Sequence, residues 1–259
     1  MTNATIDSAR SYLLGVTLPP VDPSRTSLLL DDTTPSFDAT RDQAVVVGSG
    51  VVTFAQGVPP ARRLGVTNSL LLAQLVARKA VPDGGDLDDW YKQYTSVLAN
   101  IGWLVQTTTT THTADTSDDF DTHKAILAVA TLLLGPGAVT ALALITTTLD
   151  ALASMDTSQP WITIFDRESH AVNASSFQVA LADTAPDGSF VVSLMAFVLK
   201  ANSVVTQVLF FKAKQEDVQF SHYASQAQID TTILDSLEPD LSNRVAQHSK
   251  SFISQLPDL

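Results

Sequence analysis

Metal-binding side chains crowd one stretch of this chain: His112, Asp115, Asp118, Asp119, Asp121 and His123. Asp119, Asp121 and His123 alternate, which places them on one side of an extended segment and makes them the candidate ligands. A mixed His/Asp set suits zinc or iron, and an all-oxygen set suits calcium or magnesium. A simpler use competes, because acids just ahead of an apolar run serve to start a helix. That use is the expectation, and no metal site is assigned.

Asp166-Arg167-Glu168-Ser169-His170 brings an acid, a base and a hydroxyl together in sequence. A hydrolase-type enzyme would use this segment or the one from His112 to His123. Members of a catalytic triad usually come from distant segments, however, so an exposed turn between Trp161–Phe165 and the following strands is expected here. Gly48-Ser49-Gly50 has the first two glycines of a dinucleotide loop, but Thr53 stands where the third belongs, and Val51-Val52-Thr53-Phe54 reads as a strand where a helix should open. A hairpin turn is expected instead. Asp83-Gly84-Gly85-Asp86 lacks the fixed ligand order of a calcium loop, and neither a P-loop nor a GxSxG elbow occurs. No catalytic residue and no cofactor is assigned, and the balance leans against an enzyme.

Composition narrows the classes further. Charged residues are 16% of the chain and hydrophobic residues 45%. The charged fraction is well below the usual quarter, so the surface is polar but weakly charged. The net charge of −12 comes with no Lys/Arg cluster beyond Arg62-Arg63 and Arg78-Lys79, which excludes nucleic acid as an expected partner. With no cysteine, disulfides, thiol catalysis and Cys-ligated zinc are out. The opening MTNATIDSARSYLLG lacks the basic and apolar regions of a secretory signal. The default location is cytoplasmic, with release by non-classical export or lysis as the alternative.

The elements that would position these residues can be read from pattern. Residues 1–43, rich in Pro, Thr, Ser and Asp, suggest an irregular N-terminal arm with a short helix near Ser8–Leu14. Residues 44–259 suggest one α+β domain, helical over roughly 58–155, with the sheet and a final helix over roughly 161–256. Ala44–Val47 and Val51–Phe54 form a hairpin. A helix follows, capped by Thr67 or Asn68 and ended by Val81-Pro82. Asp86 caps a second helix in which Trp90, Tyr94, Val97, Ile101 and Leu104 recur on one buried face. Thr107–Thr111, β-branched throughout, is extended. Phe177–Asp183, Phe190–Lys200, Val204–Lys214 and Val218–Ala224 alternate with turn residues and read as a four-stranded antiparallel meander whose apolar middle strands need cover on both faces. A last helix starts near Pro239. The fold class is α+β: N-terminal amphipathic and apolar helices packed on a C-terminal meander and closed by a C-terminal helix.

The run from Ala125 to Leu149 carries no charge. It is long enough to suggest a membrane span, but Gly135-Pro136-Gly137 break it near the centre. Two helices, roughly 122–134 and 138–154, joined by a tight turn, are the expected result. At about 18–25 Å each, neither comfortably spans a bilayer alone. Leu132, Leu133, Leu134, Gly135, Pro136 and Gly137 are therefore the candidate membrane-contacting tip, and protonation of Asp118, Asp119, Asp121 and Asp150 around the run is the expected trigger.

The general plan, an apolar helical hairpin over a sheet of long amphipathic strands, is similar to that of small α/β pore-forming toxins. The similarity is architectural, and no family motif lies on the chain. It implies a non-enzymatic protein that works through a lipid membrane or a protein partner, as a pore-former or effector does. The alternative is an interaction or structural module that forms homo-oligomers without membrane activity.

Overall fold

Strands that are apolar on both faces have to be covered twice, and helices lie on each side of a long sheet. The structure, a computed structural model, describes residues 5–21, 35–81, 86–106, 109–115, 119–154, 160–171, 174–201, 208–214 and 218–256. In chain order the elements are α1 (Ile6–Gly15), β1 (Gln43–Val47), β2 (Gly50–Phe54), α2 (Pro60–Ala80), α3 (Leu87–Asn100), β3 (Trp103–Val105), β4 (Thr109–Asp115), β5 (Asp119–Asp121), α4 (Thr122–Leu134), α5 (Val139–Ser154), α6 (Pro160–Ser169), β6 (His170–Ala171), β7 (Ala174–Thr184), β8 (Phe190–Ala201), a 3-10 turn (Val208–Phe210), β9 (Lys212–Lys214), β10 (Val218–Ile229), α7 (Thr231–Phe252) and β11 (Ile253–Gln255). The fold is α+β, as expected.

The main sheet runs β11-β1-β2-β7-β8-β10, with β3 and β4 pairing with different parts of β10 and β6 pairing with β7. Its pairings are antiparallel except β2 with β7. Alternation sorts the side chains into two cores. Val45, Val47, Val52, Ala180, Val192 and Leu194 face one core, which is shared with α1, α2, α3 and α7. Ala44, Val46, Val51, Val179, Leu181, Met195 and Phe197 face the other, shared with α4, α5 and α6.

Most expected elements are present, and the exceptions have physical reasons. The short helix expected near Ser8–Leu14 is α1, opened by a reciprocal Thr5–Ser8 capping box, with Ala9 and Leu13 in the core. Residues 22–34 of that arm, and 107–108 of the expected extended stretch, lie outside the described residues. Helix α2 begins at Pro60 rather than after Thr67-Asn68, because Pro59 and Pro60 supply a start that needs no N–H. Thr67 and Asn68 are instead buried mid-helix, where Thr67 donates to the Arg63 carbonyl (2.7 Å) and Asn68 to the Ser242 hydroxyl (2.9 Å). At Gly65 a Cβ would come within 3.0 Å of Leu234, so glycine lets α2 and α7 meet closely.

Asp86 does cap α3, accepting from the amides of Asp88 and Asp89. On that helix Tyr94, Val97 and Ile101 are buried, whereas Trp90 is only half-buried and Leu104 is exposed in β3. Tyr91 and Leu98 complete the buried face. The four-stranded meander is corrected to three strands. β10 pairs directly with β8, and the segment expected as Val204–Lys214 enters the described residues as the 3-10 turn and β9, which pairs with β5 in a separate two-stranded sheet. Val208-Leu209-Phe210-Phe211 is apolar without alternation, so it fills the second core rather than a sheet face. Helix α7 starts at Thr231, capped by Asp230, and Pro239 lies inside it. Pro239 is exposed, as is Asp235, whose carbonyl loses its helical partner, so water can replace the missing bond.

Near the end of α7, His248 is buried, and burial, then the Arg244 guanidinium, push its pKa below the ordinary imidazole value. A histidine held neutral in the fold binds its proton first in the unfolded chain. Stability is therefore whole above about pH 6.5 and is lost as pH falls toward the folded value. Urea midpoints at pH 7.5 and 5.5 should differ less in His248→Gln than in the parent protein. An unchanged difference would remove His248 from the acid response.

Candidate functional site

Helices α4 and α5 form the hairpin expected from the uncharged run, and their lengths of 13 and 16 residues match it. Asp121 caps α4 by accepting from the Lys124 amide at 3.3 Å. Gly135 ends α4 with φ +80, a conformation that costs glycine little, and its amide bonds the Thr131 carbonyl. Ile126, Val129 and Ala130 of α4, with Leu144, Ile145, Leu149 and Leu152 of α5, seat the hairpin on the sheet. A single buried hydroxyl pair, Thr53 to Thr148 at 3.1 Å, is the polar link between hairpin and main sheet among the described residues.

The tip is more exposed than that seat, although Leu133 and Leu134 still pack against the second core. Leu132 is 80% exposed and Val139 69% exposed, Pro136 and Gly137 are exposed, and Leu133, Leu134 and Gly135 are half-buried. The exposed positions from Ala128 to Thr147 include no charged residue. Thr131, Thr146 and Thr148 turn their hydroxyls back onto the carbonyls four residues earlier, at 2.8–2.9 Å. The run and its break are legible in the sequence, but which tip residues face water is set by the fold.

At the foot of the hairpin the expected metal candidates have other work. Asp121 pairs with Lys212 at 3.3 Å besides capping α4. Burial pushes its carboxyl up, but the Lys124 amide and the Lys212 ammonium outweigh that, and the net shift is downward. Mild acid therefore leaves Asp121 ionised, which weakens one part of the expected protonation trigger. His123 lies 3.7 Å from Asp150, across the hairpin base, and meets the Phe210 ring edge-on at 6.3 Å. Asp119 lies across β5 from Lys214 in register, His112 and Asp115 belong to β4, and Asp118 falls outside the described residues. Among the described residues no three His, Asp or Glu groups converge as a metal site requires.

The other chemical candidates lie in regular elements or in a buried turn. Asp166 to Ser169 lie in helix α6, not in an exposed turn. The Glu168 carboxylate is buried and receives Arg78 and Arg167, the latter at 2.7 Å, which commits it to two guanidinium groups. His170 starts β6, opposite Ser175. Gly48-Ser49-Gly50 is the hairpin turn expected. It is buried, with the Gln74 side chain donating through Nε2 to the Val47 carbonyl at 2.9 Å and accepting through Oε1 from the Ser49 N–H at 3.3 Å. Asp83-Gly84-Gly85 lies outside the described residues. The aromatics of the meander stack into the second core, with Phe177, Phe197 and Phe220 at centroid spacings of 5.0 and 5.4 Å.

No family model matches the chain, and no characterised protein sequence does. Among solved structures it is similar to one titled delta-endotoxin, with TM-score 0.39 and 11% identity over 80% of this chain and 95% of that one. It is similar to activated Cyt2Ba monomer from Bacillus thuringiensis subsp. israelensis, with TM-score 0.32 and 10% identity over 69% and 96%. The Evf virulence factor gives TM-score 0.32 and 12% identity over 90% and 88%. At these scores and identities the likenesses carry no activity over to this chain.

Proposed function

We propose that the protein is non-enzymatic and acts on lipid bilayers, inserting the tip of the α4–α5 hairpin as a pore-former or membrane-acting effector does. The observation that carries this reading is the chemistry of the tip. Its leucine and valine face water, no charge lies among its exposed residues, and Thr131 beside it and Thr146 further along α5 satisfy their hydroxyls on their own helices. Hydrocarbon demands this internal satisfaction, because it offers no partner to a polar group. A protein interface usually adds aromatic or arginine anchors, and the exposed tip has neither.

Among the described residues no helix is long and apolar enough to cross a membrane. At about 20 and 24 Å the two arms fall short of a hydrocarbon core of about 30 Å, so the reading is a hairpin that enters one side. With a net charge of −12, apolar contact rather than attraction to anionic heads drives the approach. The test is co-sedimentation with phosphatidylcholine vesicles and release of trapped dye, at pH 7 and pH 5. Association and release at either pH support the reading. Neither at both pH values would overturn it and make the tip a contact for a protein partner.

A further inference from the structure

We infer that the hairpin does not leave the sheet alone: residues 208–214 travel with it as a strap, and the two swing as one body about the β5–β9 base. This inference rests on the membrane reading for its purpose, but its mechanics stand on the contacts themselves. Two kinds of interface hold α4 and α5. Toward the main sheet the contacts are apolar side chains and the one Thr53–Thr148 hydroxyl pair. Toward the strap they are directional. β5 and β9 form their own two-stranded sheet, apart from the main one, with Phe120 opposite Ala213 and Asp121 opposite Lys212. The first amide of α4, Thr122, donates to the Phe211 carbonyl at 3.1 Å. The Asp121–Lys212 ion pair and the His123–Phe210 ring contact join the same two segments.

A bilayer treats these interfaces differently. Lipid tails are as apolar as a leucine core, so apolar contacts with the sheet can be exchanged for lipid at little cost. Backbone hydrogen bonds have no replacement in hydrocarbon and stay closed. The strap's own hold on the rest of the molecule is of the exchangeable kind, through Val208, Leu209 and Phe211 in the second core. The interface that opens is therefore the one beneath both hairpin and strap. The strap also limits the swing. β9 ends at Lys214 and β10 begins at Val218, so the base stays within about 14 Å of that end of β10 however far the chain stretches. The tip moves and the base pivots.

Backbone hydrogen exchange, read by mass spectrometry on the whole protein in solution and with phosphatidylcholine vesicles, tests the coupling whether or not vesicles leak. Once released into water, hairpin and strap lose the packing that keeps their hydrogen bonds closed, so amides of α4, α5, β5 and β9 should exchange at a common rate at least tenfold above that of β7 and β8. In this cysteine-free chain Thr53→Cys with Thr148→Cys should form a disulfide that slows both hairpin and strap, with reductant restoring them. Asp119→Cys with Lys214→Cys, which cross-links β5 to β9, should leave the exchange pattern and any dye release unchanged. The inference fails if β9 stays as protected as β8 while the hairpin opens, or if the β5–β9 cross-link stops the opening. Absence of dye release together with joint opening would reject the membrane reading and keep the strap.

Discussion

Changing Leu132 and Val139 together to aspartate should cut binding to phosphatidylcholine vesicles by at least about 100-fold. A carboxylate near the centre of a bilayer-inserted helix costs about 2.5–3.5 kcal/mol, and each 1.4 kcal/mol is about tenfold in affinity, so two substitutions exceed 100-fold even if each retains part of its hydration. The folded protein should hardly register the change. The two side chains are 80% and 69% exposed, and such surface substitutions usually shift stability by no more than about 0.5 kcal/mol. Vesicle co-sedimentation alongside urea unfolding separates the two effects. Unchanged vesicle binding with an intact fold would show that the tip is not the inserting element. The double alanine variant should lie between, because it loses apolar area without adding charge.

Arg63→Ala should destabilise the fold by about 3–5 kcal/mol, the largest stability effect expected of any single polar side chain here. Arg63 is wholly buried in α2. Its guanidinium donates to the carbonyls of Val58, Arg41 and Ala55 and to the Gln43 side chain, at 2.8–3.0 Å, and its carbon lies 5.7 Å from the Phe54 ring centre. One side chain thus ties the approach to β1, the exit from β2 and the start of α2. Its removal strands several acceptors at once, each at a cost of about 1–3 kcal/mol unless water reaches it. Arg63→Lys should recover little, because an ammonium cannot present a planar fork to spread acceptors. Urea midpoints with an unchanged slope check this. A loss below about 1 kcal/mol would mean that water fills the vacated space.

Local signals were legible wherever a short stretch decides its own structure. Asp86 and the apolar spacing after it located α3, and Gly135-Pro136-Gly137 divided the uncharged run at the observed place. Signals failed where a distant partner decides. Val204–Lys214 looks like another strand, yet β10 takes the place beside β8, and the intervening segment reaches the hairpin base instead. Pro239 resembles a helix start, but Asp230 caps the same helix earlier. Arg63 resembles an ordinary surface basic residue, and only the loops folded around it reveal its use. The candidate site was legible as composition alone. The run could be seen to be apolar, but which of its leucines face water depends on the sheet beneath.

The pairing of β1 with β11 carries a consequence for synthesis. Residues 45–47 find their partners at 253–255, and β2 meets β7 across the whole helical half of the chain. A ribosome that has released the first strands has not yet made what pairs with them. Early in translation β1 has an open edge, and such an edge invites pairing with other chains. Closing contacts this distant also makes folding slow. This edge of the sheet can be sealed only after residue 255 emerges, so the valines of β1 stay open to a wrong neighbour until synthesis is nearly done.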